Sequence, residues 1–126
     1  MSDFFVKLTQ RASQHPRTIV LPEGADARTI DAAATILEMG FAKLVILGDV
    51  DTLRDQLSQK GTDLSQVQLF DPKNDPKREE FAQTLYDLRK EKGMTLEKAS
   101  AIVTDEIYFG TMLVKSGLAD GLVAGA

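Results

Sequence analysis

Short apolar runs that alternate with segments of helical periodicity constrain the fold of this chain more than any other feature. Short apolar runs lie at Arg17–Leu21 (RTIVL), which is rich in β-branched residues, at 43–47 (KLVIL), at Val67–Phe70 and at 121–124 (GLVA). Continuous apolar runs of this length are typical of strands buried on both faces of a parallel sheet. The sequence therefore predicts four strands, of which the first two are buried.

The segments between the first three runs have the marks of amphipathic helices. The first begins at the capping residue Asp26, ends at Gly40 and has a one-sided apolar set, namely Ile30, Ala33, Ala34 and Leu37. The second covers residues 49–60 and stops before Gly61. Its apolar residues Val50, Leu53 and Leu57 have the spacing of one helix face. Each predicted helix is long enough to connect two parallel strands.

Three helices are predicted between the third and fourth strands. The longest has Asp75 as its cap and Pro76 at its first position, ends at Gly93 and directs three apolar residues inward: Phe81, Leu85 and Leu88. A second helix begins at Thr95, and a third covers residues 107–116 and stops at Gly117. Only residues 71–76 (DPKNDP) resemble a linker, and they are short enough to be a plain connection.

The amino-terminal residues predict one more helix, over 2–15. Its apolar residues, Phe4, Phe5, Leu8 and Ala12, recur on one side, and Pro16 closes it. His15, at the end of this segment, is the only histidine in the sequence. Because no second His and no Cys could complete a metal-ligand set with it, we expect His15 to be a surface or capping residue.

Strands alternating with helices predict an α/β fold with three layers, αβα, and a mainly parallel sheet joined by right-handed crossovers. The 126 residues suffice for one domain, residues 1–126, with a core that needs no disulfide. In such sheets ligands bind beyond the carboxyl ends of the strands. Because the sequence ends just where the loop after the last strand should begin, we expect it to be the leading part of a longer enzyme.

The composition of the chain argues against several classes of function. The net charge of −4 argues against a nucleic-acid partner, and the absence of cysteine fits a reducing compartment. No apolar stretch approaches the roughly 20 residues that span a bilayer, and the first residues lack the features of a signal peptide. We therefore expect a cytoplasmic protein with no membrane partner. Neither GxxxxGK[ST] nor GxGxxG occurs, so nucleotide hydrolysis and dinucleotide chemistry lose their usual markers.

The turn over residues 21–29 (LPEGADART) is the best local candidate for a binding site. It follows a strand, opens a helix and places Arg28 in the first helical turn, where the helix start and the guanidinium together attract anions. The alternative needs no ligand: Glu23 and Asp26 cap the helix, and Arg28 pairs with one of them.

A second cluster, Arg89-Lys90 with Lys92, lies at the end of the longest predicted helix. It either complements the helix dipole or binds phosphate, which arginine grips with its planar fork. The nearby acidic residues, Asp71, Asp75, Glu79 and Glu80, are interpreted as caps and a solvated turn, because no His or metal ligand accompanies them. A further segment is predicted to be core, with a glycine that allows close approach of another element: Tyr108-Phe109-Gly110, Met112 and Leu113.

Four segments in register resemble the phosphate acetyltransferase (phosphotransacetylase) family across nearly the whole chain. They are LPEG with Asp26 and Arg28-Thr29, LRK with KGMT at 88–95, YFGTM at 108–112, and DGLVAGA at 120–126. Phosphate butyryltransferases and a domain of some malic enzymes belong to the same superfamily, but the first and third segments are more similar to the acetyl enzymes.

The resemblance implies reversible acetyl transfer between acetyl-CoA and phosphate, giving acetyl phosphate and CoA. It also implies a homodimer in which each subunit has two α/β domains, similar to isocitrate and isopropylmalate dehydrogenases, with this chain as an incomplete first domain. Coenzyme A is then a substrate, and no covalently bound cofactor or metal is implied. The family's catalytic residues would lie beyond Ala126, so none is assigned here. Arg89 matches a family arginine implicated in holding CoA phosphate, and Arg28 is a second, less secure match.

Two alternatives stay open on the sequence. The chain could be a non-catalytic CoA-binding or regulatory module of the same fold, or it could belong to a phosphate butyryltransferase. An appended malic-enzyme domain is disfavoured because Met1 directly precedes the first predicted helix.

Overall fold

Four parallel strands form the centre of the computed structural model, which describes residues 17–40 and 42–124. The strands are β1 (Arg17–Leu21), β2 (Ala42–Leu47), β3 (Val67–Phe70) and β4 (Gly121–Leu122), and their order in the sheet is β3-β2-β1-β4. β1 pairs in parallel with both β2 and β4, and β2 pairs in parallel with β3. The four predicted strands are present, although β4 is two residues shorter than expected.

Five α-helices among the described residues connect these strands. They are α1 (Ala27–Met39), α2 (Val50–Gln59), α3 (Lys77–Arg89), α4 (Leu96–Ile102) and α5 (Glu106–Lys115). Two short 3₁₀ helices, Leu64–Gln66 and Lys90–Lys92, precede β3 and follow α3. The predicted helix over residues 2–15, and with it His15, lies outside the described residues.

Alternate residues of the strands face two separate apolar layers, as the pleat of a β-strand requires. On one face, Leu21, Leu44 and Ile46 pack with the buried residues of α1 and α2. On the other face, Val20, Val45 and Leu47 pack with the buried residues of α3, α4 and α5. The three-layer α/β prediction with a parallel sheet is thus confirmed.

The predicted helix boundaries follow from local capping. Asp26, Asp49 and Asp105 each accept hydrogen bonds from backbone N–H groups in the first turn of the helix that follows. α3 is capped as predicted: the Asp75 carboxylate accepts from the Lys77 N–H at 2.9 Å, and Pro76 already has helical dihedral angles. Gly40 ends α1 in the left-handed conformation, with φ of 73°.

Gly110 confirms the expected close approach between two elements. It lies in α5, where an added Cβ would be 2.6 Å from Leu122 Cδ1 and 3.1 Å from Val20 Cγ1. The glycine therefore lets α5 settle directly on β1 and β4. Beside it, the buried Phe109 ring contacts Phe81 edge-on, with ring centroids 5.1 Å apart.

Two core predictions are wrong. Leu88 was expected to point inward from α3 but is 54% exposed, and Tyr108 in α5 is 42% exposed. In α3 the buried stripe consists of Phe81, Ala82 and Leu85, and the helix leaves the core one turn later, just before it ends at Arg89. In α5 the sheet contacts the side that carries Phe109 and Gly110, which turns the preceding residue outward.

The loop at residues 71–76 is a tightly bonded turn. The Asp71 carboxylate accepts from the Lys73 N–H at 3.0 Å and from the Asn74 side-chain amide at 2.8 Å. The Arg78 guanidinium donates to the Lys73 carbonyl at 2.6 Å, and Pro72 is buried. These contacts hold the start of α3 at the carboxyl end of β3, so the loop is a plain connection.

Candidate functional site

The strand order creates a switch point between β1 and β4. From β1 the chain passes through α1 to β2 and through α2 to β3, moving steadily away from β1 on one side. It then returns through α3, α4 and α5 on the other face and adds β4 on the opposite side of β1. In open parallel sheets, the crevice beyond the carboxyl ends of the strands at such a reversal is the preferred place for ligands.

A shallow pocket of about 170 Å³ opens at this switch point. Its apolar lining residues are Leu21, Ala32, Val123 and Ala124. Its polar lining residues, at the rim, are Glu23, Arg28 and Thr29. The residues come from the turn after β1, the first turns of α1 and the chain after β4. We call this cavity the switch-point pocket.

The turn at the pocket is pressed against the end of β2, and Gly24 makes this possible. Its N–H donates to the Leu47 carbonyl at 3.1 Å, and an added Cβ would lie 2.2 Å from the same oxygen. No side chain can occupy that space, because the obstacle is backbone. The glycine therefore fixes the position of Glu23 and of the start of α1.

At the pocket rim, Asp26 and Arg28 bind each other. The Asp26 carboxylate accepts from the Arg28 backbone N–H at 2.9 Å, from Nε at 3.2 Å and from Nη2 at 2.7 Å. The Arg28 side-chain hydrogen bond lowers the pKa of Asp26, and the same bond raises the pKa of Arg28. The local pairing that the sequence offered as an alternative is therefore present.

The pairing does not consume the guanidinium. The Arg28 side chain is 72% exposed, and of its five N–H donors the contacts with Asp26 engage only the one on Nε and one on Nη2. The remaining donors are not engaged by Asp26, but the nearby Glu23 carboxylate also acts on the guanidinium and helps to raise the pKa of Arg28.

Arg89 lies in a second, more open groove of about 510 Å³. Its lining contains three cationic residues together with the turn that follows the helix: Arg89, Lys92 and Lys98, with Gly93 and Met94. The salt bridges between described residues involve other side chains, so no described carboxylate neutralises this set. We call it the basic groove. Two residues of the predicted cluster, Arg89 and Lys92, line the groove, whereas Lys90 does not, and Lys98 of α4 joins them.

The structure does not bring Arg28 and Arg89 together. Arg28 belongs to α1, which packs on one face of the sheet, whereas Arg89 belongs to α3, which packs on the other. They also line different cavities. A single small anion therefore cannot contact both within this chain.

Glu106 is a charged residue near the switch point that sequence reasoning missed. It is partly buried at the start of α5, and its pKa is raised by burial first and then by Asp105 and Glu23, while Lys73 opposes the shift. Its interaction with Glu23 joins parts of the chain more than 80 residues apart. A local pattern contains no trace of such a contact.

Residues 17–40 and 42–124 contain neither a membrane-spanning helix nor a cluster of metal ligands. None of these helices combines the length and the apolar character needed to cross a membrane. No group of three or more His, Cys, Asp or Glu side chains in the same part of the chain could hold a metal ion.

The strand order defines an α/β domain of the open, parallel-sheet class, and the switch-point pocket lies where such sheets usually bind ligands. A family model described as phosphate acetyl/butaryl transferase matches residues 3–126. The chain belongs to this family of transferases.

Similar curated proteins are named phosphate acetyltransferase. The chain is 46% identical over 119 residues to a phosphate acetyltransferase of Thermoanaerobacterium thermosaccharolyticum, a match that covers 94% of this chain and 36% of the relative. It is 44% identical over 123 residues to a phosphate acetyltransferase of Acetivibrio thermocellus, covering 98% of this chain and 36% of the relative. These names do not favour the butyryltransferase or the non-catalytic module.

A solved structure supports the same conclusion about the fold. A phosphotransacetylase from Streptococcus pyogenes superposes with a TM-score of 0.87 at 35% identity and covers all of this chain and 39% of that protein. The chain thus spans a little over a third of the length of these relatives.

Proposed function

We propose that this chain is the leading α/β part of a phosphate acetyltransferase, which transfers an acetyl group reversibly between acetyl-CoA and phosphate. The family match over residues 3–126 carries the proposal, since it includes every element described above. Because the chain spans little more than a third of its relatives, it contributes binding surfaces to the site rather than the whole reaction machinery. No catalytic residue is assigned within it.

In this proposal the whole enzyme has two α/β domains, arranged as in isocitrate and isopropylmalate dehydrogenases, and residues 1–126 form most of the first. It works in the cytoplasm as a homodimer, with CoA, acetyl phosphate and phosphate as its small-molecule partners. The switch-point pocket faces the side from which a second domain would close. An opening at the carboxyl ends of the strands supports this assignment.

Arg89 is the proposed contact for a phosphate group of CoA. It lies in a groove with two lysines and has no ion pair with a described residue, so its charge is available to a ligand. Arginine grips phosphate through two parallel N–H···O bonds, which lysine cannot do. The basic groove therefore suits a phosphorylated ligand.

Arg28 is the second proposed contact, at the rim of the switch-point pocket. Its ion pair with Asp26 must be shared with, or yielded to, the incoming anion. Removing the competing carboxylate charge should therefore strengthen anion binding there. Two variants therefore test the role of Arg28 with opposite expected results. Arg28→Ala should weaken the binding of CoA, and Asp26→Asn should strengthen it.

Calorimetric titration of the chain with CoA tests the proposal. We expect binding that Arg89→Ala weakens by about tenfold, which corresponds to about 1.4 kcal/mol. Arg54→Ala is the matched control, because Arg54 is also exposed but lies in α2 on the other face of the sheet. A turnover assay with acetyl phosphate and CoA should give no product with this chain alone.

Other outcomes would count against the proposal in different ways. Turnover by the chain would mean that catalytic groups lie within residues 1–126. Equal loss of affinity in the Arg89 and Arg54 variants would show that only net charge matters, and the role of Arg89 would be withdrawn.

A further inference from the structure

The basic groove is built around the turn that joins α3 to α4. The Met94 N–H donates to the Arg89 carbonyl at 3.2 Å, and the Gly93 N–H donates to the Lys90 carbonyl at 3.2 Å. Because Gly93 has a φ of 90°, these two bonds form the closed helix end known as a Schellman motif. The backbone that carries Arg89 and Lys92 is therefore fixed before a ligand arrives.

The third cation of the basic groove comes from the next helix. Thr95 caps α4, and its hydroxyl oxygen accepts from the Lys98 N–H at 3.1 Å. Lys98 thus belongs to the first turn of α4, and it lines the same groove as Arg89 and Lys92. Ala99, the next residue, is fully buried and anchors this turn in the core. Two amines and one guanidinium therefore line one cavity from two anchored elements.

The two amines of the basic groove are accessible. Lys92 and Lys98 are both exposed, and the salt bridges between described residues involve neither of them. The acidic residues next to them in the chain, Glu91 and Glu97, are exposed and do not line the groove. Lys60 differs, because its ammonium group pairs with a carboxylate of α1. A lysine amine that is free of such a partner acts as a nucleophile when it loses its proton.

Acetyl phosphate combines two groups that suit the basic groove. Its phosphoryl group is an oxyanion, which the Arg89 guanidinium can grip through two parallel N–H···O bonds. Its acetyl carbonyl is an electrophile that carries phosphate as a leaving group. An acetyl phosphate held by Arg89 therefore has its carbonyl close to two amines, and this raises the local concentration of the acetyl donor.

We propose that the basic groove directs acetyl phosphate to the amines of Lys92 and Lys98, which become acetylated. The amine nitrogen attacks the acetyl carbon, the bond from that carbon to the phosphate oxygen breaks, and phosphate leaves with the electron pair. The nitrogen then gives a proton to water, so that a neutral amide replaces the ammonium group. The inference rests on the proposed function for its supply of acetyl phosphate, and it goes beyond that function by assigning two modification sites.

This modification weakens the groove that is proposed to hold CoA. Each acetylated lysine loses its positive charge and its ability to form salt bridges. Arg89 then remains as the one cation among the described residues that line the groove. An excess of acetyl phosphate therefore lowers the affinity of the groove for CoA, which is a form of feedback on the reaction.

The test is to incubate the chain with acetyl phosphate at mildly alkaline pH and to follow each acetylated lysine by quantitative mass spectrometry. Lys43 and Lys115 are the reference lysines, because both are exposed and the salt bridges between described residues involve neither. We expect Lys92 and Lys98 to react about fivefold faster than the references, since a held donor has a raised local concentration.

Two controls separate guidance by the groove from simple exposure. Acetic anhydride has no phosphoryl group, so it should acetylate the exposed lysines without preference for the groove. Arg89→Ala should remove the preference seen with acetyl phosphate, whereas Arg54→Ala, on the other face of the sheet, should retain it. Lys90 is exposed and adjoins Arg89 but does not line the groove, so it should react like the reference lysines.

The effect on the groove is measured by calorimetry with CoA after the treatment. The treated parent chain should bind CoA more weakly than the untreated chain. A double variant, Lys92→Arg with Lys98→Arg, keeps both charges but offers no amine at these positions. Its affinity for CoA should therefore survive the same treatment.

Equal rates at the groove lysines and the reference lysines would overturn the proposal. So would a preference that survives Arg89→Ala, or one that acetic anhydride reproduces, because either would reflect the lysines alone. Failure of the proposed function is a separate result, which the titration of the unmodified chain with CoA measures. Preferential acetylation of a chain that does not bind CoA would support the modification sites and count against the CoA contact.

Discussion

The Asp26 carboxylate caps helix α1 and at the same time holds the Arg28 guanidinium, with Oδ2 2.7 Å from Nη2. One acidic side chain thus serves both the start of the helix and Arg28, the one cationic residue among the described residues that line the switch-point pocket. Any anion that uses Arg28 must compete with this carboxylate. The strength of the helix start and the availability of Arg28 are therefore coupled.

Asp26→Asn and Asp26→Ala should separate the cap from the charge. Asparagine caps helices about as well as aspartate, so Asp26→Asn removes only the ionic part, whereas Asp26→Ala removes both. We expect the urea midpoint of unfolding to fall slightly in the first variant and clearly further in the second. Arg28→Ala should resemble Asp26→Asn, because exposed ion pairs contribute little.

The pH dependence of stability tests the ion pair between Asp26 and Arg28. The pKa of Asp26 is lowered in the folded chain by the hydrogen bond from Arg28, so its contribution is present above the unfolded pKa of about 3.9 and disappears as pH falls through the folded value. The midpoint difference between the parent chain and Asp26→Asn should therefore be full at pH 6 and vanish towards strong acid. A difference that persists unchanged into strong acid would contradict the ion pair.

Gly24→Ala should destabilise the chain through sterics rather than through backbone conformation. Its Cβ would meet the Leu47 carbonyl at 2.2 Å, so the turn must move and its hydrogen bond to β2 must lengthen or break. We expect a loss of about 3 kcal/mol or more, at the upper end for overpacking. Chemical denaturation monitored by circular dichroism measures it.

Gly40→Ala is the comparison for this variant. Gly40 has a φ of 73°, but nothing lies within 4 Å of an added Cβ, so only the left-handed conformation is penalised, by roughly 1–2 kcal/mol. Equal losses in the two variants would show that the contact between Gly24 and β2 is not what constrains the turn.

Asp120 should control how firmly β4 is attached to β1. Its carboxylate accepts from the Thr18 N–H at 2.8 Å, and its own N–H donates to the Thr18 carbonyl at 2.8 Å. Asp120→Ala keeps the backbone bond and removes the other, with an expected loss of about 0.5–1.5 kcal/mol. Asp120→Asn retains an acceptor and should lose less.

Hydrogen exchange gives the local measurement for this prediction. The Val123 N–H donates to the Val20 carbonyl at 3.0 Å, at the far end of the short β4 strand. Its exchange should quicken in Asp120→Ala, while the exchange of N–H groups within the β1–β2 pairing stays slow. Equal acceleration throughout the sheet would indicate global destabilisation instead.

The elements of the fold were predictable because their determinants are local. Asp26 and Gly40 bracket α1 within one short stretch, and an apolar run such as residues 43–47 is visible without knowledge of its partners. The strand order was not predictable in this way. It depends on contacts such as that between Thr18 and Asp120, which are 102 residues apart.

The candidate site was likewise predictable only where its determinants are local. Arg28 and Arg89 could be named from the sequence, because a helix start and a cluster of cations are local patterns. The choice between pairing and ligand binding at Arg28 required the position of the Asp26 carboxylate.

Leu85 and Leu88 provide a matched test of where α3 leaves the core. Both are leucines of the same helix, but Leu85 is 3% exposed and Leu88 is 54% exposed. Leu85→Ala should cost about 2–5 kcal/mol, because it removes buried methyl groups and leaves a cavity beside the core. Leu88→Ala should change stability by less than about 0.5 kcal/mol, as expected for a surface substitution. Urea denaturation of both variants measures the difference, and a large loss in Leu88→Ala would mean that this side chain is covered in solution and that the inward orientation expected from its spacing was right.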